Sequence, residues 1–402
     1  MATRNKGAGP CRAIQALDRT IQRHYPGLIG AVHACLAVFG AMALNGRTKP
    51  LCVIFETASG YGKTAVLQMV FAAPRTALAK YVYRSDKFTP KAFVTHTANV
   101  KKGELAKMDL LPKLHGKVLV TKELAPIFRG REEELRENFS ILISVLDGKG
   151  FTSDSGMRGK RGYERAILFN WIGATTPLPP ATHRLMSQLG TRLLFFEVPA
   201  IQPTEDELLN YALRGESKAA EDDCQKAARK FLVNFFRDHP VGSLSPKAIQ
   251  FSQPRMLQLV RWAQLVCDGR AEVKFEKEKT NWEPVAAAKP EGPWKVVNYF
   301  KELAIGHAVI CGRNAVDDSD LELVAHVALS SIPGHLRPLI RELRRADRID
   351  STTAAKLCGV TPPTARNYLK QLALLGIADL AKGAPNANLP DVITLNKRFH
   401  WM

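Results

Sequence analysis

Apolar residues in the first half of this chain fall into short continuous runs separated by polar stretches rich in glycine and proline. Val53-Ile54-Phe55, Lys117 to Thr121, Ala166 to Ala174 and Leu193 to Val198 have the length and continuity of strands buried on both faces. Residues 13 to 45 read as helices broken at Pro26-Gly27. Ala65 to Phe71 reads as another helix, and Phe139 to Leu146 as one ended by Asp147-Gly148-Lys149-Gly150. This rhythm of strand, loop, helix and strand predicts a parallel α/β sheet. From about residue 204 the pattern becomes helical, apart from a charged, irregular insertion over 271 to 293 that reads as a loop or linker. A helix from Trp294 to Val309 precedes Gly312-Arg313. A second helix follows, capped around Asp317 to Ser319 with Asp320 in its first turn, and Ile332-Pro333-Gly334 marks a boundary.

The last segment has its own pattern. An Arg-rich helix (Arg337, Arg341, Arg344, Arg345, Arg348) leads to two short helices around Gly359-Val360-Thr361, a helix-turn-helix signal with Thr361 as cap and Pro362 at the first helical position. Ala365, Leu369, Leu372 and Leu375 share a core-facing spacing, which leaves Thr364, Arg366, Asn367 and Lys370 as candidates for groove contacts. Residues 377 to 396 alternate enough to give two strands around a Gly/Pro/Asn turn, a wing.

Composition narrows the picture. The chain has 402 residues with 46% hydrophobic content, enough for two or three domains with their own cores. Its seven cysteines are scattered, without C-x-x-C or Cys/His metal spacing, which points to a reducing, cytoplasmic setting. Leu28 to Leu44 comes nearest to a membrane span, but His33 and its alanines favour a buried helix. The net charge of +19 implies a polyanionic partner, nucleic acid before any membrane. There is no G-x-S-x-G, no HExxH and no H-x-x-x-H, so serine-hydrolase and metalloprotease chemistry are not expected, nor any metal beyond Mg²⁺.

The chemistry concentrates at the end of the first run. Val53 to Thr64 reads VIFETASGYGKT, a strand running into a small-residue loop and then a helix. Ser59, Gly60, Tyr61, Gly62, Lys63 and Thr64 would cradle a nucleotide triphosphate, with Lys63 on the β- and γ-phosphates and Thr64 on Mg²⁺. The usual pattern is G-x-x-x-x-G-K-[ST]. Its first glycine is Thr57 here, so a residue that resists positive φ is expected to make the tight turn.

With these pieces in order, the chain resembles the AAA+ ATPases of phages and integrated mobile elements, in the neighbourhood of helicase and MCM-like proteins, from about residue 28 to the end. DKFTPKAFVTH, DLLPKLHGKVLVTKELAPIF, VLDGKGFTSDSGMRGKRGYER, GATTP, LGTRLLFF and GHAVICGRNAVDDSDLELV carry the resemblance. It implies an α/β fold: a P-loop parallel-sheet core over 28–203, a helical lid over 204–335 and a winged helix-turn-helix over 336–402. Residues 1–27 form a basic arm and helix before them. It further implies ATP and Mg²⁺ as ligands, DNA as partner, a ring-forming homo-oligomer and ATP hydrolysis. Glu123 falls where such enzymes place the acid that polarises water or holds Mg²⁺, although Lys122 replaces the usual aspartate before it. Thr175 or Thr176 ends the sensor strand, Arg192 takes the arginine-finger position, and Arg255, or alternatively Lys295, takes the lid sensor position. Arg158, Lys160 and Arg161 belong to a hairpin that would grip DNA backbone in the pore. Two other readings stay open: a DNA-binding transcriptional regulator whose nucleotide site is a switch or a relic, and a clamp or adaptor that loads another enzyme.

Overall fold

A computed structural model describes residues 12–70, 76–95, 101–155, 159–190, 192–200, 202–214, 218–278, 281–383 and 390–402. It divides into two compact units that are not consecutive along the chain. The first comprises Met1–Pro177, Arg192–Ser252 and Lys301–Leu323, and the second Leu178–Thr191, Gln253–Phe300 and Val324–Met402.

The first unit contains strands β1 (Cys52–Glu56), β2 (Val82–Ser85), β3 (Val118–Thr121), β4 (Phe151–Ser155), β5 (Gly159–Tyr163), β6 (Asn170–Thr175) and β7 (Leu194–Glu197). Five of them form one sheet in the order β2-β3-β6-β1-β7, every pair parallel. The unbroken apolar runs are explained by this position, because every residue of β1, β3 and β6 is buried. At the start of β6, Asn170 is sealed in the core with both amide heavy atoms engaged: Oδ1 accepts from Leu51 N at 2.9 Å and Nδ2 donates to Val38 O at 2.7 Å. Between β3 and β6 the chain leaves the sheet to form the antiparallel hairpin β4–β5. Helix Ile29–Met42 is buried along nearly its whole length, as expected of Leu28 to Leu44. Helix Lys218–Asp238 packs on this unit, with Phe236 stacked on Tyr81 at 4.1 Å between centroids and edge-on to Phe39.

Helices 29–42 and 294–310 meet with almost no space between their backbones. A Cβ on Gly40 would lie 2.2 Å from Gly306 O, and one on Gly306 would lie 2.3 Å from Ala37 O, so only glycine permits this approach.

The second unit holds β8 (Val273–Glu278) and β9 (Asn281–Ala287), an antiparallel hairpin where the sequence reads as a loop. Its carboxyl-terminal part has helices Arg337–Ala346, Ser351–Cys358 and Pro362–Leu374 with β10 (Arg348–Asp350), β11 (Ala378–Ala381) and β12 (Val392–Leu395), paired antiparallel in the order β10-β12-β11. Asp350 caps the second of these helices by accepting from Thr353 N at 2.7 Å. The expected cap Thr361 does not do the same: Pro362 and Pro363 remove the first amides, and its hydroxyl bonds that of Thr364 at 3.0 Å. Ala365, Leu369, Leu372 and Leu375 are buried. No helix among the described residues is long and apolar enough to cross a membrane.

Candidate nucleotide and nucleic-acid sites

After β1 the chain turns through Thr57 to Gly62 and enters helix Lys63–Met69. Positive φ falls on Gly60 (93°) and Gly62 (83°), and among the described residues Asp347 is the one non-glycine in that region. Thr57 therefore makes no strained turn, contrary to the expectation from its place in the pattern. It is buried, and its N–H donates to Thr175 O at 3.3 Å, while the two later glycines reverse the chain. The amides of Ser59 to Gly62 donate no backbone hydrogen bond to another described residue. Alternating left-handed glycines with free N–H groups form an anion-binding concavity.

Lys63 is buried, and its Nζ donates to the carbonyls of Thr57 and Ala58, both at 3.2 Å. Burial pulls the ammonium below the ordinary lysine range, and the Glu123 carboxylate opposes that pull. Glu123 stands just past β3, fixed by its own N–H to Asp86 O at 3.2 Å and by its Oε1, which accepts from Ala125 N at 2.8 Å. Between β3 and β1 lies β6, whose Thr175 is the register partner of Glu56. The Thr175 hydroxyl is buried and has no hydrogen-bond partner among the described residues. The carboxyl ends of three adjacent parallel strands thus bring Lys63, Thr175 and Glu123 together, at the sheet edge where open α/β folds bind ligands.

The other expected members fall as follows. Thr64 is exposed at the start of its helix, and the Tyr61 hydroxyl accepts from Gln202 Nε2 at 2.5 Å. Thr176 Oγ1 accepts from Arg129 Nη2 at 2.7 Å, a partner that the sequence does not announce. Lys122 lies 3.9 Å from the Asp86 carboxylate. Arg192 is buried and donates from Nε to Asp147 Oδ1 at 3.2 Å, a carboxylate that Lys49 also approaches at 3.6 Å. Arg255 belongs to the second unit.

In the β4–β5 hairpin the bases separate. Arg161 is buried, its Nη2 donating to Asp109 Oδ2 at 3.0 Å, and Tyr163 donates to the same oxygen at 2.9 Å. It anchors the hairpin through Asp109 and is buried there, where the resemblance implied a base gripping DNA backbone. Lys160 is exposed and pairs with Glu164 at 2.6 Å. Arg158 lies outside the described residues.

In the second unit, Arg366 on helix Pro362–Leu374 is exposed. Two other candidates are engaged by β9: Asn367 Nδ2 donates to Trp282 O at 2.8 Å, and Lys370 Nζ to Glu283 Oε2 at 2.5 Å. A cavity of about 350 Å³ opens beside the same helix, lined by Thr364, Asn367, Tyr368, His335 and His183 among others.

No family model matches the chain, and no curated protein matches it. Among solved structures it is similar to a full-length MCM homologue from Methanopyrus kandleri, at 14% identity and a TM-score of 0.41. The match covers 79% of this chain and 59% of that one, so the chain spans about three fifths of the length of that protein.

Proposed function

We propose that this chain is an ATP-binding, ATP-hydrolysing protein of the AAA+ kind that acts on DNA as a ring-forming homo-oligomer. The setting that the motifs suggest is replication or maintenance of a mobile element. The observation that carries this reading is the meeting of Lys63, Thr175 and Glu123 at the carboxyl edge of a parallel sheet, beside a loop of unused amides.

The residues fit the ligands. The free N–H groups and the Lys63 ammonium offer a triphosphate both donors and a cation. Among the described residues the Lys63 ammonium donates to two carbonyls, contacts that the stronger pull of phosphate oxygens would replace. The Thr64 hydroxyl and the Glu123 carboxylate would hold Mg²⁺, which neutralises charge on the β- and γ-phosphates when bound. Glu123 would orient and deprotonate the attacking water, and the unpartnered Thr175 hydroxyl would fix that water from the neighbouring strand. The carboxyl-terminal helices and sheet read as a winged helix that contacts DNA, and the net charge of +19 supports a polyanionic partner.

The test is ATP turnover by the full chain with and without DNA, beside Lys63→Ala. DNA-stimulated turnover lost in the variant supports the motor reading. ATP binding without turnover would replace it with a nucleotide-switched DNA-binding regulator.

A further inference from the structure

Away from the phosphate loop, the first unit buries a second cluster of chemistry-bearing side chains. His33 Nδ1, His307 Nε2 and Cys311 Sγ all lie within 4.8 Å of one another. His33 comes from helix Ile29–Met42. His307 lies on helix Trp294–Ile310, and Cys311 follows four residues later on the same face. The close backbone approach at Gly40 and Gly306 brings the two helices together here.

The hydrogen bonds around the cluster fix the tautomers. Asp320 accepts from Arg313 Nη1 and Nη2, each at 2.7 Å, and from Asp317 N at 2.7 Å. It is thus an ionised acceptor, so His307 Nδ1, 2.6 Å from its Oδ1, must carry the hydrogen. His33 Nε2 lies 2.9 Å from Asp18 Oδ1, and against a carboxylate oxygen, which only accepts, that nitrogen is the donor. Both outer nitrogens are then donors, and the two inner ones turn lone pairs toward each other at 2.8 Å. Two acceptors do not rest at that distance unless a proton or a metal cation lies between them. Cys311 Sγ, 3.8 Å from His307 Nε2, faces the same point.

We propose that His33, His307 and Cys311 form a binding site for a borderline-soft divalent cation, Zn²⁺ first. Two imidazoles and a thiolate are a zinc donor set, and each imidazole is backed by a carboxylate in the carboxylate–histidine–metal arrangement. The cation takes the place of the bridging proton and binds Cys311 as thiolate. Tetrahedral bonds of ordinary zinc length put two nitrogens roughly 3.3 Å apart and nitrogen and sulfur roughly 3.6 Å apart, so the site forms by opening the histidine pair about half an ångström and drawing Cys311 Sγ, which lies within 4.8 Å of both nitrogens, inward to tetrahedral distance. His307 and Cys311 are buried, and the fourth position falls to water or an added ligand. The ion ties residues 301–323 to helix 29–42 across 274 residues of chain, the kind of long closure where a metal clip stabilises most. This site is separate from the Mg²⁺ position at Thr64 and Glu123.

The test uses the untagged full chain. Elemental analysis after purification without chelator should find one zinc per chain. The stripped chain, titrated with Co²⁺, should develop a thiolate-to-cobalt charge-transfer band that is absent in Cys311→Ser, and Asp18→Asn should weaken the metal by 10- to 100-fold. If Cys311→Ser does not fold, the parent chain still decides: chelation should lower its melting temperature, with recovery on Zn²⁺ but not on Mg²⁺. A stripped, folded chain that gives no charge-transfer band, a Cys311→Ser variant with an unchanged cobalt spectrum, or a melting temperature indifferent to both chelator and Zn²⁺ overturns the proposal.

Discussion

The Glu123 carboxylate acts on the Lys63 ammonium across the carboxyl edge of the sheet and opposes the downward pull that burial exerts on its pKa. Each residue thereby has a separable role. Lys63→Ala removes a charge-assisted contact of about 1.5–3 kcal/mol and should weaken ATP binding roughly 10- to 100-fold. Glu123→Gln keeps shape and removes the base, so binding should persist while turnover falls about 10²- to 10⁴-fold. Equilibrium binding of a fluorescent ATP analogue and phosphate release measure the two. Unchanged turnover in Glu123→Gln would move the chemistry to another carboxylate.

Asp109 is fully buried and accepts from Thr95 N at 2.6 Å, from Arg161 and from Tyr163, so one carboxylate holds β5 to the unit. Asp109→Ala would leave the Arg161 cation buried alone and should cost about 3–5 kcal/mol in denaturant unfolding. Tyr163→Phe removes one hydrogen bond and should cost about 1 kcal/mol. Lys160→Ala, at an exposed pair, should leave the unfolding midpoint where it is. If Asp109→Ala is as stable as the parent, the hairpin is not anchored through this pair.

These pairs show where the sequence stops being legible. The strands β1, β3, β6 and β7 can be read directly, because strands of a buried parallel sheet carry nearly continuous apolar runs and the phosphate loop marks the end of one of them. Arg161 reads as a surface base because its partner Asp109 lies 52 residues away, and a glycine-rich basic run looks alike whether solvated or anchored. The hairpin β8–β9 is hidden for another reason: Lys274, Glu276 and Lys277 put charge on both faces, and Pro284 sits within a strand, so no alternation marks it. His307 and Cys311 give no metal spacing that the sequence alone marks, because the third member of the cluster, His33, lies 274 residues earlier and only the fold supplies it.

Arg192 is held by Asp147 within its own chain. If it reaches the γ-phosphate of a neighbouring subunit, that pair must open during assembly with ATP. Arg192→Ala should then keep ATP affinity and lose roughly 10³-fold in turnover. Mixed with Glu123→Gln protein, it should regain activity at interfaces where an intact Glu123 meets an intact Arg192. A variant whose loss of turnover follows its loss of melting temperature, with no recovery on mixing, would leave Arg192 as a buried structural partner of Asp147.

The last prediction concerns helix Pro362–Leu374, whose Lys370 and Asn367 are tied to β9 through Glu283 Oε2 and Trp282 O. A lysine neutralised by an adjacent glutamate releases few counterions on meeting a phosphate, so the hairpin should lower the affinity of this helix for DNA. Glu283→Gln keeps the size of the side chain and removes its charge. It should raise DNA affinity and steepen the slope of log K against log salt by about 0.9, the value for one added phosphate contact. Lys370→Ala in the Glu283→Gln background should abolish that gain, whereas Arg366→Ala, on an exposed arginine without this restraint, should weaken DNA binding in either background. Fluorescence anisotropy on a labelled duplex across a salt series reads all three. If Glu283→Gln leaves both affinity and slope unchanged while Arg366→Ala has no effect, this helix does not contact DNA and its pairing with β9 is part of the second unit's packing.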